Sequence, residues 1–445
     1  MGMSSEDVVL IEKSKNSGDP TVVTVNCPDK AGLGCDLLRV VLEFGLYVTR
    51  GDFSTDGKWC YVVLWVVPRP ISLRVDWERL NKRLVSCCPS MMPAFYLDQI
   101  SSSCKSTPLY LLKVFSMDRK GFIHDVTKLL CDLELTIQRL KVMTTPDGKV
   151  LDLFFVTDSM NILHTKIGRE ETCEHLSVVL GECCISCEIE LAGPGYECQQ
   201  GLSSIPEPIA EKLFSREFSI IEDASKVEAS VMIDNLLSPA HSLLQIQCRD
   251  QKGLIYDILR ISKDCDIQIS YGRVSSSVNG VRSLELFVQN EDGKKILSNE
   301  DQIALCSRLK EEMMQPLRVM ISNRGPDTEL WVANLAELSG RGRPRVVYDV
   351  TFALKTLGIC IFSAEIGRHS TLDREWEVYR FLLVENQKIL LSSKHVKLDI
   401  INKVRRTLMG WSQITIIRSK DYEMVQKTQA KGLISWSMAE SNGKR

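Results

Sequence analysis

One short phrase, written three times, constrains this chain more than anything else in it. Asp29-Lys30-Ala31-Gly32-Leu33, Asp118-Arg119-Lys120-Gly121-Phe122 and Asp250-Gln251-Lys252-Gly253-Leu254 each follow a β-rich run. Four residues after each glycine comes a further aspartate: Asp36, Asp125 and Asp257. A fourth copy is degenerate. Gly342 replaces the first aspartate, Arg345 stands where the glycine would, and Asp349 keeps the downstream acid. Self-similarity of this kind identifies a repeated structural unit before any single motif is interpreted.

Aligned on positions 32, 121, 253 and 345, the residues that follow repeat in register. Apolar side chains fall mostly at +1, +5, +8, +9 and +12, as in Leu33, Leu37, Val40, Val41 and Phe44, and again in Phe122, Val126, Leu129, Leu130 and Leu133. That spacing is one face of a helix. At +13 stand Gly45, Glu134, Asp266 and Gly358. Glycine suits a left-handed helix end and Glu134 does not. Hairpin signals follow at Asp56-Gly57, Asp147-Gly148 and Asn279-Gly280, with a looser turn near His369 to Asp373. A second helical stretch comes next (Val75 to Val85, Ile167 to Leu180, Ser298 to Met313, Lys394 to Leu408). A last strand is expected near Ala94–Leu97, Ile185–Leu191, Arg318–Ile321 and Gln413–Ile417.

The unit is therefore β-α-β-β-α-β in about 80 residues, a ferredoxin-like α+β arrangement with two helices on one face of an antiparallel sheet. The bare face and edges favour side-by-side pairing of units. The division expected is unit 1 over 20–100, unit 2 over 108–191, a linker over 192–228, unit 3 over 229–323, unit 4 over 328–419 and a tail over 420–445. The linker carries Gly193, Gly195 and Pro206, with a weak helix from Pro208 to Phe214. Since it splits the chain in the middle, the natural pairs are units 1 with 2 and 3 with 4.

This constellation resembles the ACT domain, a small-molecule-sensing module of amino-acid metabolism, and a chain of four such units resembles the plant ACT-domain-repeat proteins. The resemblance implies binding of a free amino acid where two units pair. It also implies a regulatory protein that acts through a protein partner, with pairing able to make a homodimer. The residues support that reading on their own terms. A helix N-terminus offers unpaired N–H groups to a carboxylate, and Gly32, Gly121 and Gly253 let the backbone approach without a Cβ. Two roles are open to Asp29, Asp118 and Asp250: pairing with an α-ammonium group, or capping the helix. Leu33, Phe122 and Leu254 complete the candidate ligand-binding set. Asp36, Asp125, Asp257 and Asp349 fall in the first helical turn, where a carboxylate favours the dipole.

Composition narrows the alternatives. Lys plus Arg is 55 against 57 Asp plus Glu, a net charge of −2 that is poor for a general nucleic-acid binder. The run Arg341-Gly342-Arg343-Pro344-Arg345 resembles the core of an AT-hook, leaving minor-groove DNA association as a third reading. A ligand-free interaction scaffold is the second. The longest apolar run, Trp59 to Val67, is about half a membrane span, so no membrane partner is expected. With 16 scattered cysteines and no secretory signal at the N-terminus, reduced thiols in a cytoplasmic, possibly also nuclear, setting are expected. Cys173, His175, Cys183, Cys184 and Cys187 lack zinc-ligand spacing. Gly32 and Gly34 lack the third glycine of a dinucleotide fingerprint. No nucleophile elbow, phosphate loop or metalloprotease pattern occurs, so neither a cofactor nor catalysis is expected.

Overall fold

The computed structural model describes residues 8–69, 74–89, 108–193, 205–215, 229–337 and 342–411, with short breaks at 15, 17–18, 118, 146, 159, 276–279, 325–326, 372–373, 385–390 and 392. The expected strands Ala94–Leu97 and Gln413–Ile417, the tail, Asp118 and Arg341 lie outside the described residues. All four units are present. Their central strands are β2 (Thr21–Pro28), β3 (Leu46–Thr55) and β4 (Trp59–Pro68); β5 (Leu109–Met117), β6 (Leu135–Thr144) and β7 (Lys149–Asp158); β10 (Ser242–Arg249), β11 (Ile267–Ser275) and β12 (Val281–Asn290); and β14 (Asp327–Leu335), β15 (Cys360–Ser370) and β16 (Glu375–Val384). The first helices are α1 (Leu33–Glu43), α3 (Phe122–Asp132), α6 (Leu254–Asp264) and α8 (Val346–Leu357). The second are α2 (Trp77–Cys87), α4 (Lys166–Leu180), α7 (Asn299–Met314) and α9 (Lys394–Leu408).

The repeat is kept in backbone detail. Each hairpin breaks register at one residue seventeen positions after the anchor: Thr49, Gln138, Ser270 and Phe362. A β-bulge re-aims the strand that holds it, and the degenerate fourth unit shares it. Position +13 is left-handed in all four units, Glu134 (φ 58°) and Asp266 (φ 54°) as well as Gly45 and Gly358. The expectation against Glu134 is thus corrected. Its carboxylate pairs with Nε of Arg79 at 2.9 Å and Nε of Arg83 at 3.3 Å.

Two expectations about connection fail. Among the described residues, the edge strand beside the first central strand follows the second helix only in unit 2, where β8 (Cys184–Leu191) pairs with β5. In the other three units that slot is filled by a strand from upstream. β1 (Val9–Glu12) pairs with β2, β9 (Ser230–Asp234) with β10, and β13 (Leu317–Arg324) with β14. The strand expected to close unit 3 therefore lies in the sheet of unit 4. Nor do neighbours in sequence pair. One eight-stranded sheet runs β1-β2-β4-β3-β11-β12-β10-β9 and joins units 1 and 3; the other runs β13-β14-β16-β15-β6-β7-β5-β8 and joins units 4 and 2. The joins are β3 with β11 (Gly51↔Val274 to Ser54↔Tyr271) and β6 with β15 (Lys141↔Glu365).

Each pair buries one continuous core between its sheet and helices: Val23, Leu64, Leu37, Leu84, Ile258 and Leu309 in pair 1/3, and Val114, Val126, Leu176, Val332, Val350 and Val404 in pair 2/4. The outer face of unit 4 is covered as well. Helix α5 (Glu207–Phe214), in the expected linker, packs Leu213 against Trp331, Ala333 and Trp376. Arg318 donates to the carbonyls of Leu213 and Ser215, both at 2.9 Å. The two pairs meet through their helices and anchor loops, as in Arg79–Glu134 and Arg345 Nη1 to the Glu43 carbonyl (3.0 Å).

Candidate functional site

Three of the second helices begin in the ordinary way, and α9, behind Ser393, has no side-chain cap. Asp76, Thr165 and Ser298 accept from the backbone N–H three residues on, which satisfies a donor at the start of α2, α4 and α7. The first helices begin differently. Gly32, Gly121, Gly253 and Arg345 stand at the N-cap in the left-handed region (φ 77°, 75°, 75° and 65°), and no side chain caps any of them. Among the described residues no acceptor meets the amides of Gly34 and Cys35, of Ile123 and His124, or of Ile255 and Tyr256. The open helix starts expected from the sequence are therefore present.

Neither Asp29 nor Asp250 takes the capping role offered to it. Asp29 accepts from the Thr55 hydroxyl at 2.6 Å. Asp250 is buried, taking Nε of Arg282 at 2.8 Å and Nη2 at 2.9 Å, together with the Tyr47 hydroxyl. Burial pushes that phenol up to about 12, so it donates throughout the physiological range. Leu33, Phe122 and Leu254 are each 2% exposed and belong to the cores. The first-turn aspartates do more than favour a dipole. Asp36 pairs with Lys30 (3.0 Å), Asp125 with Arg119 (2.7 Å) and Lys355 (2.6 Å), Asp257 with Arg343, and Asp349 with Lys252.

What lies over the glycines could not be read from the repeat. A Cβ on Gly32 would come within 2.8 Å of Cδ and Cε of Lys263. On Gly121 it would meet Lys355 at 2.7 Å, and on Gly253 it would meet Nε of Arg343 at 3.0 Å. Lys263 and Lys355 each stand ten residues after their own anchor, where units 1 and 2 carry Leu42 and Cys131. The glycines thus serve both the left-handed turn and the close passage of a cation from another unit.

Two clefts open at these seams. One, about 310 Å³ including its solvent-open part, lies between α1–β3 of unit 1 and the Gly253 loop, with Leu38, Val41, Tyr47, Asp250, Leu254 and Arg282 in its wall. The other, about 410 Å³, lies between the Gly121 loop and α8, walled by Arg119, Phe122, His124, Thr351, Leu354 and Lys355. Both are tight, with room between facing side chains for about one water, so a larger guest needs side chains to move. Burial and the nearby Lys355 lower His124 to about 4, so it is neutral and shares a hydrogen bond with Thr351 Oγ1 at 3.2 Å. Burial works against ionisation of Asp125, but the hydrogen bonds from Lys355 and Arg119 prevail and hold it below the ordinary carboxylate range. This cleft sets two cations, both paired with Asp125, and an open helix start around an aliphatic floor.

The arginine run presents no groove-binding surface at its centre. Arg343 is 4% exposed and paired with Asp257, Gly342 bridges to Ala336, and Arg345 donates to the Glu43 carbonyl. Among the described residues no group of His, Cys, Asp or Glu is arranged to hold a metal, and no helix is long and apolar enough to cross a membrane.

Comparison with known proteins agrees with this architecture. Residues 11–89 match the family described as ACT domain-containing protein ACR10, N-terminal; residues 230–327 match the ACR9-like, ACT-like domain; and residues 328–410 match ACT domain-containing protein ACR9, C-terminal. The ACT domain-containing protein ACR9 of Arabidopsis thaliana is 61% identical over 411 residues, 92% of this chain and 100% of that protein. The chain belongs to the plant ACT-domain-repeat family. The ACT domain-containing protein ACR10 of Arabidopsis thaliana is 48% identical over 418 residues, again 92% of this chain and 100% of that one. Among solved structures, aspartate kinase from Synechocystis aligns at 13% identity over 88% of this chain and 55% of the kinase, with a TM-score of 0.16. The boundary between the second and third matched segments falls after residue 327, which puts β13 with unit 3, although its hydrogen bonds are to unit 4.

Proposed function

We propose that this ACT-repeat chain is a non-catalytic regulatory protein that binds a free amino acid at its unit seams and reports occupancy to a protein partner. The observation that carries the reading is the cleft at Gly121. The uncapped amides of Ile123 and His124, with Arg119 and Lys355, suit an α-carboxylate. Asp125, paired with Arg119 and Lys355, is open to an α-ammonium once those cations turn to the guest carboxylate, and the aliphatic wall takes the side chain. The Gly253 cleft is the second candidate, with Asp250 already committed to Arg282. An amino acid of about ten heavy atoms at ~0.5 kcal/mol each gives about −5 kcal/mol, a Kd on the order of 0.2 mM.

At about 10 mM ligand, that affinity adds roughly 2 kcal/mol to stability. A thermal-shift screen of the full chain against the twenty amino acids is expected to show a clear rise for at least one of them. The Gly121→Val variant should lose most of that response while keeping its fold. No response from any amino acid at this concentration rules the sensing role out. The second reading, a ligand-free interaction scaffold, draws on the cations that already cover the three glycines. It predicts partner capture that neither amino acids nor Gly121→Val alter.

A further inference from the structure

The two pairs cross their first helices in the same way, but among the described residues only pair 1/3 has a carboxylate from outside the pair set between its two residues at +3. At +4, Lys252 of unit 3 likewise reaches Asp349 of pair 2/4. Three residues after the anchors stand Cys35, His124, Tyr256 and Tyr348. In pair 2/4, His124 and Tyr348 meet directly, with ring centroids 5.0 Å apart. In pair 1/3, Cys35 and Tyr256 instead share the carboxylate of Glu337, which arrives from the end of β14 in unit 4. The Tyr256 hydroxyl donates to its Oε1 at 2.8 Å and the Cys35 thiol at 3.9 Å. The same carboxylate takes Nζ of Lys263 at 3.2 Å and Nη1 of Arg39 at 3.7 Å, and Glu337 is 3% exposed.

Lys263 is the residue whose alkyl chain covers Gly32. Further residues of unit 4 grip the same pair: Arg39 Nη1 donates to the Gly342 carbonyl at 2.8 Å, and Arg343 lies on Gly253 while pairing with Asp257. Gly121, by contrast, is covered from within its own pair by Lys355.

We propose that the degenerate unit 4 is an internal latch on pair 1/3, in which Glu337 holds Lys263 closed over the Gly32 loop and Arg343 holds the Gly253 loop. A buried carboxylate stays in place only while its donors remain. A guest carboxylate that draws Lys263 away therefore removes one of the two cations on Glu337, leaves its charge to Arg39 and the Tyr256 hydroxyl, and loosens unit 4 from pair 1/3. Loss of the glycine and aspartate from the fourth phrase fits this role, since unit 4 supplies the charges that close other loops. The regulatory part of the inference rests on the amino-acid reading above; the latch itself does not.

The test uses the full chain with Glu337→Gln, which keeps shape and the Tyr256 bond but loses the charge. Lys263→Met is the companion variant. The Lys263 side chain is 33% exposed, so that variant keeps the test available if Glu337→Gln fails to fold. Without ligand, amide hydrogen exchange over residues 30–36 should be about tenfold faster in both variants, with residues 119–126 unchanged. Unchanged exchange over 30–36 in a folded variant overturns the latch, whatever the ligand results. Thermal shift of the same proteins with each of the twenty amino acids at about 10 mM separates the two ideas. Faster exchange with no thermal response in any protein keeps the latch and discards the sensing role. Faster exchange with a larger response in the variants than in the wild type supports both.

Discussion

Pair 1/3 and pair 2/4 are built from the same repeat, yet they solve the seam between their first helices in opposite ways. Pair 1/3 fills it with charge: Arg39, Glu337 and Lys263 around the neutral Tyr256 hydroxyl, and beyond them Arg260 with Glu312 (2.8 Å) and Asp264 (3.4 Å). Pair 2/4 sets neutral groups at the crossing itself, His124, Thr127 and Thr351 in mutual hydrogen bonds with Tyr348 and Phe352 stacked beside them, and keeps its charges, Lys355, Asp125 and Arg119, at the mouth of the loop. A charged seam is rigid only while every partner is present; a neutral one depends on packing and on an unprotonated histidine. One fold therefore carries a seam that is sensitive to charge and a seam that is sensitive to proton concentration.

The largest break in that comparison should come from Arg260→Met. It leaves Glu312 buried with only Arg308 and Arg374 beside it, and should cost about 3 kcal/mol in urea unfolding. Lys128→Met, at the same repeat position in unit 2, is exposed and should stay within about 0.5 kcal/mol. Equal costs would show that the charge in pair 1/3 has no structural weight.

Acid should sharpen the contrast from the other side. His124 titrates at about 4 when folded and near 6.5 when unfolded, so the unfolded chain binds the extra proton first. Its contribution is complete above about pH 6.5 and is lost as pH falls towards 4, by up to about 3 kcal/mol. Denaturation of wild type and His124→Gln across that window should converge at low pH. Parallel curves would place the acid sensitivity elsewhere.

The smallest effects concern the helix starts. Asp76→Ala and Thr165→Ala each remove a side-chain cap, and each should cost about 1 kcal/mol by chemical denaturation, one in each pair. Because α1 and α3 have no side-chain cap to lose, Asp29→Ala should leave α1 intact, its carboxylate serving Thr55 instead.

Much of the unit was legible from pattern alone. The helix phase, the hairpins at Gly57, Gly148 and Gly280, and the three glycine anchors are local consequences of residue type; the left-handed Arg345 is not. The cations over the glycines were not legible. Lys263 and Lys355 sit at a repeat position that looks like helix surface until the partner unit is known. Glu337 lies outside the repeated phrase altogether. Glu134 misled for a related reason, since the arginines that hold its carboxylate, Arg79 and Arg83, belong to another unit.

Sequence by itself determined the four units, their order and the open starts of their first helices, because backbone propensity and apolar period act over a few residues. Tertiary structure decided which units pair, which upstream strand fills each edge, and which charge closes each loop. All four units present the same kind of edge strand, so local pattern has no means to choose between neighbours. The choice falls to side-chain complementarity between segments far apart in the chain, such as Gly51–Ser54 with Tyr271–Val274, or Glu337 with Lys263.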